Sequence, residues 1–473
     1  MEDINIKKAT IINFFSKYSN IFVQLLLNSI LARLLTPDDY GIVAIITVFI
    51  SFFTVIADMG IGPAIIQHKD LSKKQISDIF IFTIFVGLLV SIGFILFSYP
   101  LAMFYDNRVY IPLGIILSIG IFFNVVNMVP NALLLKDKQF KALGIRTVVI
   151  TIIGGIITII LAIKGAKYYA LVVNSVFVGF LTFLFNYWYS KINIYGGFSL
   201  ESIKKIKEFS SYQFGFNFIN YFSRNSDNLL IGKFMGEVAL GYYDKAYRLM
   251  LYPVQNLTHV ITPVLHPILS DYQDDYDKIY SQYVKVVKIL SLLGIFILVF
   301  CFFSAKEIIL IMFGKQWLQS VECFRILSLS IWIQMLMSST GSIFQSIGQT
   351  KILFRCGIVT TIINVSAIII GVMLKKIEYV AVLIVIAFSF NFIITFYYLI
   401  KKSMNRSLGK FFREFYSSFI IMIIMIIGFI FIPVKLPNIA INILCKLLLG
   451  VIMYILGLII TKEYKTIIRL IKK

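Results

Sequence analysis

The sequence predicts an all-α polytopic membrane protein of about fourteen transmembrane helices, and three observations carry that prediction. Of its 473 residues, 59% are hydrophobic and only 14% are charged, whereas a soluble globular chain has about 45–50% apolar and about 25% charged residues. The apolar residues fall in runs long enough to cross a bilayer, which takes about 20 residues as a helix. Runs such as 419–432 are continuous, without the alternation of a membrane β-strand. Finally, polar and aromatic landmarks recur at offsets of 200 and then 210 residues, so the spans form two like sets with about ten residues inserted between them.

Windows of about 19 residues place the spans at 11–35, 40–66, 78–104, 110–135, 147–163, 169–189, 212–232, 240–269, 283–303, 322–346, 352–374, 379–400, 415–432 and 439–461. With the N-terminus inside, the inner segments hold 28 Lys and Arg and the outer segments 14, while Lys17 and Arg224 lie within spans. The positive-inside rule therefore puts both termini in the cytoplasm. It also accounts for most of the net charge of +21, so nucleic acid is not an expected partner. Lys7 and Lys8 precede a long apolar run with no small-residue cleavage site, which reads as a retained first span and not a removed leader. Cys301, Cys323, Cys356 and Cys445 lack the CxxC spacing of a metal or disulfide framework. The longest stretches between spans, 190–211, 270–282 and 304–321, are too short to fold alone. Residues 199–211 read as an amphipathic cytoplasmic helix.

Self-comparison divides the chain. At an offset of 200 residues Asn20 meets Asn220, Asn28 meets Asn228, Arg33 meets Lys233 and Gly41 meets Gly241. At 210, Ser118 meets Ser328, Gln139 meets Gln349, Lys141 meets Lys351, Tyr169 meets Tyr379 and Tyr187 meets Tyr397. Spans one to six thus resemble spans seven to twelve. Each set is even in number, so both enter the membrane in the same direction, a parallel repeat about an axis along the membrane normal. The expected organisation is an N-lobe at 1–195, a linker at 196–211, a C-lobe at 212–402, and two extra helices with a basic tail at 403–473.

Polar residues inside the spans are few and aligned. Span one carries Asn13, Lys17, Asn20, Gln24 and Asn28, which fall within about 80° of one another at 100° per residue. Span seven carries Gln213, Asn217, Asn220, Arg224 and Asn228, the same five repeat positions, with Asp227 beside Arg224. Span eight adds Gln255, His259, Thr262 and His266 on a helix expected to be broken by Pro253, Pro263 and Pro267; span two adds Thr47, Ser51, Thr54 and Asp58. A charge at mid-bilayer costs about 2.5–3.5 kcal/mol on insertion scales, so it faces protein or water. Stripes on two equivalent helices can face each other across the repeat axis and line a wet cavity with Lys17 and Arg224 as its cations. The competing reading is hydrogen bonding between helices, with Arg224 paired to Asp227.

Other chemistry is poorly supported. The run 270–277 (SDYQDDYD) resembles acidic motifs that hold magnesium on diphosphates, but at the end of a span a solvated acidic cap is the better reading. His259 and His266 are seven residues apart, without the i, i+4 pairing of a zinc helix. The close glycine pairs Gly60/Gly62 and Gly154/Gly155 sit in or beside spans and suit helix packing, not nucleotide binding. No cofactor and no metal are expected, and transport energy must come from gradients or substrate supply.

Four segments, LARLLTPDDYGIVA (31–44), ADMGIGPAIIQ (57–67), RNSDNLLIGKFMGEVALGYYDKAYRL (224–249) and PVLHPILSDYQDD (263–275), resemble the polysaccharide-exporter branch of the multidrug/oligosaccharidyl-lipid/polysaccharide (MOP) flippase superfamily. Teichuronic-acid and colanic-acid type exporters and O-antigen flippases have the nearest pattern. The resemblance implies a non-enzymatic flippase of the bacterial plasma membrane that carries undecaprenyl-diphosphate-linked oligosaccharide from the cytoplasmic to the outer leaflet, alongside polysaccharide polymerase machinery. It further implies two lobes working by alternating access, with a cationic cavity between spans one, two, seven and eight. Family motifs fall on Arg33, Asp58, Asp227, Gly232, Gly241, Tyr243 and Ala246. On this reading Lys17, Asn20, Gln24, Asn28, Asn217, Asn220, Arg224, Asn228, Gln255 and His259 bind substrate, and Asp227 and Asp58 couple an ion. Arg33, Lys233, Tyr40 and Gly41 sit at span ends, where a structural role competes.

The alternatives are a multidrug or metabolite exporter of the same superfamily, for which an acidic cavity is expected, and a membrane polysaccharide polymerase or glycosyltransferase, for which a large outer loop is expected.

Overall fold

The computed structural model describes residues 2–58, 61–67, 71–195, 199, 221, 225–270 and 275–471, without the side chains of 2–17, 58, 63, 67, 259–270, 350, 467 and 469–471. Every regular element among the described residues is a helix. The chain divides into two compact units, residues 1–241 and 242–473.

The first unit contains α1 (Glu2–Leu34), α2 (Pro37–Asp58), α3 (Ile61–Gln67), α4 (Lys73–Phe104), α5 (Tyr110–Val126), α6 (Met128–Lys136), α7 (Phe140–Ile163) and α8 (Tyr168–Ser190), with a further helix over 225–235. The boundary falls in the first turns of α9 (Glu237–Ser270). The second unit continues with α10 (Tyr276–Phe303), α11 (Ala305–Met312), α12 (Ser320–Ser328), α13 (Ile331–Met337), α14 (Thr340–Ser346), α15 (Thr350–Met373), α16 (Ile377–Phe396), α17 (Leu408–Arg413), α18 (Tyr416–Phe431), α19 (Ile439–Ile460) and α20 (Tyr464–Ile471).

Among the described residues, ten helices are long and apolar enough to cross a membrane, or eleven if a pair bent by 49°, Ser320–Ser328 with Ile331–Ser346, counts as one. This is a multi-pass helical membrane protein. The predicted first and eighth spans coincide with α1 and α9, of 33 and 34 residues. Most of the predicted seventh span, and all of the 196–211 linker but residue 199, lie outside the described residues.

Three local expectations change. The predicted span 40–66 comprises two helices, α2 and α3; Ile61, Ala64 and Ile65 of α3 bury against Val129 and Ala132 of α6, so α3 belongs to a small core of its own. The predicted span 322–346 is bent, and its hydroxyls explain why. Ser328, Ser330, Ser338, Ser339 and Thr340 each donate to the carbonyl three residues back, at 2.6–3.1 Å, and such bonds compete with the helical ladder. Conversely, α9 continues as one helix through Pro253, Pro263 and Pro267. Side chains turn back onto carbonyls around Pro253, Asn256 Nδ2 to Tyr252 O at 2.8 Å and Thr258 Oγ1 to Val254 O at 2.6 Å, the kind of local repair that lets a membrane helix keep its prolines.

Helix starts follow their caps. Ser72 and Gln75 form a reciprocal capping box at α4, and Asn438 accepts from the Ala440 and Ile441 amides at α19. The acidic run resolves partly the same way: Asp275 caps α10 by accepting from Lys278 N at 2.9 Å, and Asp277 pairs with Arg406. Residues 271–274 lie outside the described set. α18 and α19, at the predicted thirteenth and fourteenth spans, are built into the second unit. Trp332 Nε1 donates to Ser291 Oγ at 2.9 Å, which donates to Ser418 Oγ at 2.8 Å. The indole also packs against Phe392, Phe415 and Phe419.

Candidate transport site

The α1 stripe is positioned by packing on α7. A methyl on Gly155 would lie 2.3 Å from Leu27 Cδ1, so the two helices meet closely there and α1 cannot rotate freely. Around α1, Phe22, Leu26 and Ile30 are exposed apolar residues. Gln24 is exposed as well, yet lies about 160° from both Phe22 and Leu26 at 100° per residue. One helix therefore has two open faces, one apolar and one polar, as expected of a helix between lipid and a wet cavity. Asn20 and Asn28 are half-buried beside Gln24. Asn20 Oδ1 is buried and finds no partner among the described residues. Lys17 is on the same helix, with its side chain outside the described set.

Of the second stripe, Asn228 is half-buried, and Asp227, at 5% exposure, accepts from the Asn228 amide at 2.8 Å. Asn217, Asn220 and Arg224 lie outside the described residues, and with them the Arg224–Asp227 pairing. The helix over 225–235 is preceded by Tyr221, whose hydroxyl donates to Val48 O of α2 and whose ring lies 6.0 Å from Phe52. On α9, Gln255 is exposed between buried Val254 and Thr258; His259 follows on the same helix, and Asp58 ends α2, both with side chains outside the described set.

The repeat partners Gly41 and Gly241 form a reciprocal crossing. A Cβ on Gly41 would lie 1.8 Å from Glu237 O, and one on Gly241 would lie 2.0 Å from Pro37 O. Pro37 and Glu237 are themselves 200 residues apart, so each glycine seats the backbone one turn before its counterpart. Polar anchors hold this crossing: Glu237 Oε1 accepts from Asn107 Nδ2 at 2.8 Å and Tyr110 OH at 2.9 Å. Asp39 accepts from Thr36 N at 2.9 Å and Tyr168 N at 3.0 Å. Tyr40 is buried. Lys233 lies 3.5 Å from Asp106, 4.8 Å from the Phe104 ring centroid, and donates to Phe104 O. Gly41, Tyr40 and Lys233 are thus engaged in structure; Arg33 lies at the exposed end of α1.

Three polar sites escaped the sequence reading because their charges were counted with loops. Arg146 donates to Asn186 Oδ1 at 2.6 Å and Asn131 Oδ1 at 3.3 Å, and Asn186 Nδ2 donates to Asn127 Oδ1 at 2.8 Å. Asn127 and Asn131, one turn apart in an apolar run, were the available signal. Lys446 lies inside a span and pairs with Glu307 at 2.8 Å, while Asn442 donates to the same carboxylate oxygen at 2.8 Å. Lys245 is buried, 5.2 Å from the Phe313 ring and 5.8 Å from the Trp317 ring.

These features define a multi-pass helical membrane protein with polar residues aligned on otherwise apolar helices. The model for the family of polysaccharide biosynthesis proteins matches residues 30–322, and the chain belongs to that family. A curated relative, the lipopolysaccharide biosynthesis protein WzxC of Escherichia coli strain K12, is 23% identical over 72% of this chain and 70% of its own length. Among solved structures, the lipid II flippase MurJ in an inward closed conformation matches with a TM-score of 0.76 at 16% identity, covering 96% of this chain and 99% of MurJ. An inward-facing multidrug-resistance MATE transporter of the MOP superfamily matches at 0.62 and 16% identity, over 82% of this chain and 94% of its own. The fold is shared with both kinds of protein, so the fold by itself does not choose between their cargoes.

Proposed function

We propose that this protein is a flippase for undecaprenyl-diphosphate-linked oligosaccharide in surface-polysaccharide biosynthesis, moving it from the cytoplasmic to the outer leaflet of a bacterial plasma membrane. Membership of the polysaccharide biosynthesis family, over a match that includes the described part of the second stripe, carries this reading. The relative WzxC, named for lipopolysaccharide biosynthesis, and the fold shared with the lipid II flippase MurJ support it. Fourteen spans, in two six-helix lobes plus two helices with both termini inside, make up the proposed architecture.

In the proposed mechanism Lys17 and Arg224 attract the diphosphate. Asn20, Gln24, Asn28, Asn217, Asn220, Asn228, Gln255 and His259 hydrogen-bond sugar hydroxyls, and the polyprenyl tail stays in lipid. The opposed polar and apolar open faces of α1 suit this division. Asp227 and Asp58 couple an ion, and alternating access exposes the stripes to each side in turn. The protein does no covalent chemistry of its own in this scheme, and a polymerase acts on what it delivers.

The test is leaflet-resolved labelling of lipid-linked oligosaccharide in cells depleted of the protein. Accumulation in the cytoplasmic leaflet, relieved by re-expression, is expected. Unchanged leaflet distribution with loss of drug resistance would instead favour the multidrug exporter.

A further inference from the structure

We propose that the second unit carries a headgroup site for an anionic phospholipid, built by the two helices that lie outside the repeat. A cavity of about 640 Å³ opens where the end of α10, α11 and α12 meet α19 and the 433–438 connection. Four cations line it, Lys306, Arg325, Lys435 and Lys446, against one acid, Glu307.

Two of the cations are already engaged. Lys446 is held by Glu307 and by Phe303 O, both at 2.8 Å, which fastens α19 to the α10–α11 corner. Arg325 pairs with Glu322 at 2.6 Å. Lys306 and Lys435 remain exposed, and among the described residues no second carboxylate lines the cavity. Their charge is therefore directed at whatever enters. Lys435 sits in a short connection between Pro433 and Pro437, whose fixed φ angles reduce the entropy lost when the lysine is immobilised on a ligand.

The rest of the lining is largely apolar, with Phe303, Phe429, Val434 and Leu436. The rings of Phe303 and Phe429 stack there at 4.8 Å and 7°, and Phe431 and Ile432, between Phe429 and Pro433 in the chain, are exposed at the end of a membrane helix. Cations beside an apolar wall at a span end match a phosphodiester on an acyl chain better than a free anion, which would leave the wall unused. Because α18 and α19 have no counterpart in the first six spans, this site has no repeat-related copy.

The full-length protein in detergent is titrated with phosphatidylglycerol, phosphatidylcholine, glycerol 3-phosphate and inorganic phosphate, reading bound lipid by native mass spectrometry and the melting midpoint in parallel. Phosphatidylglycerol should bind and raise the midpoint, with apparent affinity falling about tenfold or more in K306Q/K435Q and restored in K306R/K435R. Both lysines are exposed, so the unliganded variants should melt with the wild type. Equal binding of phosphatidylglycerol to wild type and K306Q/K435Q, or equal binding of phosphatidylcholine, overturns the proposal. So does equal protection by the soluble phosphates, which would assign the cavity to free anions. If K306Q/K435Q is unstable, the single variants must each lose part of the affinity, and their retaining all of it has the same overturning force.

Discussion

Alanine at Gly41 tests the reciprocal crossing made by the two repeat-related glycines. The new methyl carbon would lie 1.8 Å from Glu237 O, 2.4 Å from its carbonyl carbon and 2.9 Å from its Cα, where an ordinary contact is 3.4–4 Å. All three atoms are backbone, so no side chain can swing aside and the helices must part by about 1.5 Å. Overpacking of a well-packed site costs about 1–3 kcal/mol, and backbone against backbone belongs at the upper end. Better helix propensity returns about 1 kcal/mol, leaving a net loss near 2 kcal/mol. Gly241→Ala meets Pro37 O at 2.0 Å and should cost a similar amount. Because either methyl opens the same crossing, Gly41→Ala/Gly241→Ala should cost clearly less than the sum, with coupling of about 0.5–3 kcal/mol. Gly62 has nothing within 4 Å of its would-be Cβ, so Gly62→Ala is the neutral or mildly stabilising control. The assay is thermal unfolding in detergent at one scan rate, since unfolding of such proteins is commonly irreversible. A wild-type midpoint for Gly41→Ala, or strictly additive effects in the double variant, would refute the shared crossing.

Further predictions follow from the polar contacts. Lys446→Met strands the buried Glu307 carboxylate and should lower stability by about 3–5 kcal/mol; adding Glu307→Leu should recover most of that in the same melting assay. Arg146→Met removes the donor to Asn186 and Asn131 and should cost about 1–3 kcal/mol, whereas exposed Lys138→Met should change the midpoint little. At the start of the C-terminal segment, burial acts to raise the Glu463 pKa. Hydrogen bonds from Lys288, Thr466 and Ser417, with the Lys288 charge, outweigh it and hold the carboxyl below its ordinary value of 4.5. A depressed folded-state pKa gives stability that is fully present above the ordinary value and lost as pH falls through the lowered one. The midpoint difference between wild type and Glu463→Gln should therefore be constant near neutral pH and shrink below about pH 4.5; a constant difference down to pH 3 would contradict it.

The helices were legible because a bilayer demands long apolar runs, and α4, α5, α7, α8, α10, α15, α16, α18 and α19 lie where hydropathy places them. Hydropathy did not reveal the α2/α3 division or the bend after Ser328, because both depend on side-chain hydrogen bonds and local packing that an average over a window discards. The same averaging counted Lys446 and Arg146 with loops, since partners such as Glu307 and Asn186 come from helices distant in sequence. Prolines misled in the other direction: α9 keeps its helix where Pro253 suggested a break. For the site, the repeat offset gained most from the structure. Gly41 and Gly241 were paired by sequence alone, and they meet each other's helices in equivalent ways. By the same offset Lys17 meets Asn217 and Gln24 meets Arg224, so each stripe carries one cation at a different repeat position.

Transport by Lys17→Ala, Arg224→Ala and the double variant, each expressed at wild-type level in cells lacking the native copy, tests the cationic-stripe mechanism most directly. The quantity to measure is the rate at which lipid-linked oligosaccharide reaches the outer leaflet. Each single variant should slow transfer and the double should nearly abolish it, with Lys17→Arg and Arg224→Lys retaining more activity than the alanines. Wild-type transfer by the double variant would contradict the mechanism and assign both cations to holding helices together.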